Sequence, residues 1–61
     1  MFQLNDYAQH QASGRIGKVI GFGHQMLDSV YLPTLKVRIT EGNALGSFLE
    51  DVSSAWVPVK V

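Results

Sequence analysis

A chain of 61 residues makes one domain at most, spanning 1–61, and such a chain buries only about 60% of the surface its unfolded form exposes. It has no cysteine, which excludes disulfides and thiolate metal sites; an apolar content of 46% argues against disorder and leaves the core, or an oligomeric partner, to carry the fold. Five basic residues balance five acidic ones, so bulk charge does not drive binding to nucleic acid or to a membrane surface.

No apolar run approaches membrane-spanning length, and the first residues, Met1-Phe2-Gln3-Leu4-Asn5-Asp6, lack the basic and apolar regions of a signal peptide. With no cysteine to oxidise, the expected location is the cytoplasm.

The chain reads as short β-like runs separated by turn residues. Phe2 to His10 predicts an irregular first strand, and Ala12-Ser13-Gly14 a turn. Arg15 to Phe22 is rich in β-branched residues and predicts a second strand. Its glycines at 17 and 21 mark a bend or a close backbone approach. Gly23 to Leu32 is expected to be a loop, because Gly23, His24, Asp28 and Ser29 break the pattern. Tyr31 and Leu32 are already extended ahead of Pro33. In Thr34 to Thr40, Leu35, Val37 and Ile39 alternate with Lys36 and Arg38, the period of a half-buried strand. Glu41 to Ala44 is a turn, Gly46 to Glu50 a fourth strand, and Asp51 to Ala55 a single 3-10 turn. Trp56 to Val61 closes the chain as a fifth strand, which Pro58 confines to an edge.

Five short strands with one 3-10 turn before the last predict an all-β, five-stranded SH3-like barrel, since closure removes exposed strand edges. The expected core is Phe2, Leu4, Ile16, Val19, Ile20, Leu35, Val37, Ile39, Leu49, Val52, Val57 and Val59.

The segment Gly14-Arg15-Ile16-Gly17-Lys18-Val19-Ile20 resembles the KOW motif, in which a G-x-x-G-x-V run follows the first strand of an SH3-like barrel. That resemblance implies RNA or protein binding. The order of this run, then Tyr31 to Arg38, then Phe48-Leu49-Glu50-Asp51-Val52 resembles the photosystem I reaction-centre subunit IV family and, more distantly, the variable chain of ferredoxin-thioredoxin reductase. These are non-catalytic docking subunits, whose likeness implies a basic surface for acidic electron carriers. The first strand and the closing Trp56-Val57-Pro58 depart from their pattern. The whole chain also resembles small uncharacterised proteins of photosynthetic bacteria.

Arg15, Lys18, Lys36 and Arg38 stand on neighbouring predicted strands, and residues 14–40 carry one acid, Asp28, against these four bases. They form a candidate basic face for an acidic protein or a phosphate backbone, against the plainer reading that they are the solvated side of two strands. Tyr7, Tyr31 and Trp56 are the alternative, a groove that grips proline-rich peptides or stacks bases, unless Trp56 instead packs over one barrel end with its N–H tied to a carbonyl.

His10 and His24 are expected at the surface, and no metal is assigned to them. Ser53 and Ser54 have no matching base, and one of them is expected to cap the 3-10 turn. Glu50 and Asp51 are adjacent on a strand and so face opposite ways, which undercuts paired-carboxylate chemistry. The expected function is a non-catalytic protein-interaction module, a docking or accessory subunit with no cofactor. A KOW-like nucleic-acid module is the alternative, an enzyme ranks last, and a homo-oligomer is admitted.

Overall fold

Alternation of apolar and polar residues, broken by turn residues, builds five strands, described over residues 2–60 in a computed structural model. They are β1 Tyr7–His10, β2 Ile16–Leu27, β3 Val30–Ile39, β4 Phe48–Val52 and β5 Trp56–Pro58, with one 3-10 turn, Ser53–Ala55, leading into β5. All neighbours are antiparallel, in the order β4-β3-β2-β1-β5. The fold is therefore all-β.

The expected closure into a barrel is not found: among the described residues β4 and β5 are the two edges of an open sheet and do not pair. The 3-10 turn links the two edges along the chain, and the β1–β5 pairing runs on into it. The Gln11 N–H donates to the Ala55 carbonyl at 2.9 Å, and its amide to Ser54 O at 2.9 Å. Pro58 lies on edge strand β5, where its missing N–H is tolerated.

The largest departure is at residues 23–32. In place of a loop, β2 and β3 continue as one hairpin, paired out to Leu27 and Val30. Asp28 and Ser29 turn it with φ of 50° and 66°, the left-handed pair of a two-residue type I′ connection. The residues that break the apolar pattern are thus the turn itself and polar positions of a two-stranded arm.

The inner face gathers Ala8, Val19, Leu35, Val37, Ile39 and Trp56, all buried, with Phe2, Ala44, Leu49 and Ala55 packed partly against them. Three expected core residues are exposed instead: Leu4, Ile20 and Val57. Ile20 is the extra residue of a β-bulge, since Val19 faces Val37 while Gly21 faces Lys36. Leu4 sits in a turn ending at Asn5, whose φ is 74°. β5 runs in the opposite phase from the one expected: Trp56 opposes His10 and points inward, so Val57 points out. β1 begins only at Tyr7, β4 runs two residues later than expected, and the fifth strand ends at Pro58, with Val61 outside the described residues.

Gly17 lies buried opposite Ile39. A β-carbon there would fall onto the Arg38 carbonyl oxygen and stand 2.6 Å from Val37 Cγ1. This is the close backbone approach expected of the motif glycine.

Candidate functional site

The outer face follows from register and the two-residue period. β1 pairs Tyr7 with Lys18, β2 pairs Lys18 with Arg38, and β3 pairs Arg38 with Phe48. Tyr7, Lys18, Arg38 and Phe48 therefore form a single transverse row across four strands. At the usual strand spacing of about 4.8 Å the row spans about 14 Å. Lys36 lies on the same face, two residues from Arg38. The Lys18 Nζ stands 5.6 Å from the centroid of the Tyr7 ring, a cation–π approach, and Phe48 is 69% exposed.

Lys18 and Arg38 are like charges directly opposed on neighbouring strands, an arrangement that is ordinarily destabilising. Among the described residues no carboxylate comes within 4.0 Å of Lys18, Lys36 or Arg38. Glu50 faces Lys36 across the strands, but its carboxylate accepts the Thr34 hydroxyl at 2.6 Å. That carboxylate lies over Gly23, whose missing side chain leaves room for it, and Thr34 beneath it is 2% exposed.

The fourth predicted base, Arg15, stands apart from this row. It belongs to the turn before β2 and lines a small hollow with Ser13, Glu41 and Asn43. The aromatic trio is not brought together. Tyr7 is on the outer face, Tyr31 lies on the hairpin arm edge-to-face with His24, and Trp56 is buried on the inner face. The Trp56 indole N–H donates to the Asp51 carbonyl at 3.3 Å, which matches the packing role. Phe48, the aromatic that completes the row, was missed because its place opposite Arg38 depends on the β3–β4 register.

On the inner face, His10 is buried rather than at the surface. Its Nε2 lies 2.8 Å from Asp51 Oδ2 and its Nδ1 2.9 Å from Ser13 Oγ. The Ser13 backbone N–H points at Nδ1 from 3.3 Å, so Nδ1 is the acceptor and Nε2 carries the proton given to Asp51. The bond from His10 and a second from the Val52 N–H hold the Asp51 carboxyl below its ordinary pKa of 3.8.

This Asp–His–Ser chain has the connectivity of an acyl-transfer triad, but the two amides that follow Ser13 are already engaged. The Gly14 N–H is taken by the His10 carbonyl at 2.7 Å and the Arg15 N–H reaches Ser13 Oγ at 3.3 Å. We read the chain as a lock between the β1–β2 turn and β4. His24 is on the arm, on a different strand from His10. Neither Ser53 nor Ser54 caps the 3-10 turn, whose N-cap is Val52 with no side-chain bond. Glu50 and Asp51 face opposite sides, as expected from their adjacency.

A cleft of about 760 Å³ opens between the arm and the N-terminal segment, lined by Phe2, Phe22, His24, Pro33, Leu35 and Pro58 among others. No helix of the described residues is long and apolar enough to cross a membrane. Comparison with protein-family profiles, with curated proteins and with solved structures finds no match.

Proposed function

We propose that the protein is a non-catalytic interaction module that docks an acidic protein partner through the outer face of its sheet. The observation that carries this reading is the Lys18–Arg38 pair, two opposed cations with no carboxylate within 4.0 Å among the described residues. A carboxylate from a partner, placed between them, offsets their repulsion and gains from both. Lys36 extends the same face, and Arg15 lies outside the docking row. An SH3-like, KOW-like ancestry belongs to this proposal, supported by the strand order in sequence and the close approach at Gly17, and so does a cytoplasmic setting, which the lack of cysteine suits.

The second reading, single-stranded nucleic acid, is favoured by one specific feature. Tyr7 and Phe48 flank the two cations at either end of the row, the pairing of stacking surface with phosphate contact that such strands use.

Capture from native lysate with the double variant Lys36→Gln/Arg38→Glu as control tests the first reading. The expected result is loss of an acidic protein from the captured set with unchanged circular dichroism. Unchanged capture by the variant would overturn it. Titration of an oligonucleotide separates the second reading: three phosphate contacts give a log–log salt slope of roughly −2 for a single strand. Tight, salt-steep oligonucleotide binding assigns the face to nucleic acid.

A further inference from the structure

The β2–β3 arm is a two-stranded ribbon that leaves the body of the sheet. β1 covers β2 only at Ile16, Gly17 and Lys18, and the N-terminal segment adds bonds between Val19 and Asn5 and Asp6. From Ile20 to Leu27 the edge of β2 away from β3 has no backbone partner among the described residues. An isolated two-stranded ribbon is marginal in water; three or more strands with an apolar face are needed for independent stability.

The arm is also apolar on both faces. Phe22, Met26 and Tyr31 lie on the inner side and Leu27 and Val30 on the outer, each 51–69% exposed. The inner side, with Phe22, Met26 and Tyr31, is the larger of the two apolar faces, and a strand added at the β2 edge would extend it.

The two edges of the arm differ. Pro33 stands on the β3 side, and a proline there blocks edge pairing. The β2 side, Ile20 to Leu27, carries neither proline nor lysine. Between Val19 and Leu35 the one charged residue is Asp28, and the whole chain has a formal charge of zero, so like charge does not keep two arms apart.

We propose that the arm is a self-association surface, in which two copies join their β2 edges in antiparallel register about a two-fold axis. The result is a four-stranded ribbon, β3-β2-β2-β3, with the Phe22 and Met26 side chains of both copies on one shared apolar face. The contact is isologous and closes on itself, so it yields a dimer and not a fibre.

Sedimentation velocity on the intact chain between about 5 μM and about 500 μM tests this. The expected result is a dimer whose stability is nearly independent of salt. Met26→Lys, a charge placed on the open edge, should raise the dissociation constant at least tenfold with an unchanged circular dichroism spectrum. Hydrogen exchange on the wild type needs no variant: amides of residues 20–27 should gain protection as concentration rises. A monomer at every concentration would overturn the proposal. So would a dimer whose added protection falls on β4 or β5. Neither result bears on the basic face, whose contacts are salt-dependent and lie on another part of the sheet.

Discussion

His10 Nε2 and Asp51 Oδ2 meet 2.8 Å apart, although their strands, β1 and β4, are separated in the sheet by β2 and β3. The bond crosses the open side of the sheet and joins edge strand β4 to β1, the strand beside the other edge. Trp56 packs edge-on against the same imidazole, with ring centroids 4.9 Å apart, and donates to the Asp51 carbonyl. One histidine thus ties the β1–β2 turn, β4 and β5 together.

The acid dependence of stability should report this bond. The Asp51 pKa is lowered in the folded state, so its stabilising contribution is fully present above the ordinary carboxylate value and is lost as pH falls through the lower folded value. Asp51→Asn should lower the melting temperature at pH 7 and differ less from wild type at pH values below the folded one. A constant difference across an acid titration of thermal melts would show that the Asp51 charge is not what the bond uses.

Gly17→Val should cost at least about 1–3 kcal/mol, the range for overpacking. Its new side chain meets the Arg38 backbone, which cannot rotate away. Lys18→Val, one residue on and on the outer face, should cost much less. Urea unfolding of the two variants checks the contrast, and equal effects would make Gly17 an ordinary strand residue.

Ser29→Gly should stabilise the protein by about 0.5–1 kcal/mol. Ser29 holds a φ of 66°, which costs a residue with a β-carbon roughly 1–2 kcal/mol and glycine almost nothing, less the greater entropy glycine loses on folding. Chemical denaturation gives the difference directly; a destabilised variant would mean that the Ser29 side chain holds the turn.

Arg38→Glu should separate stability from binding. It turns a like-charged pair with Lys18 into an opposite-charged one, a gain of up to about 1 kcal/mol. The same change should remove partner capture. A variant that loses both stability and capture would place Arg38 in the fold and not in recognition.

The alternation of Leu35, Val37 and Ile39 with Lys36 and Arg38 was legible because a strand's two faces repeat every second residue. It predicts both the buried and the exposed side of β3 as found. The Gly17 close approach and the 3-10 turn before the last strand were legible for similar local reasons. The hairpin arm was not. His24, Asp28 and Ser29 are polar breaks in any local reading, and only pairing to Leu27 and Val30 makes them an arm and its turn.

The candidate site divides in the same way. Local sequence places Lys18, Lys36 and Arg38 on strands, but their common row with Tyr7 and Phe48 is a matter of register between four strands. A bulge at Ile20 resets that register for everything beyond it on β2. The sequence by itself determined the all-β class and the two faces of β3, because these depend on side-chain period and turn chemistry within a few residues. Only the tertiary structure decided that the sheet stays open, that β5 turns Trp56 inward, and that His10 reaches Asp51 forty-one residues away. Each of these depends on contacts between distant segments, and no local pattern encodes their geometry.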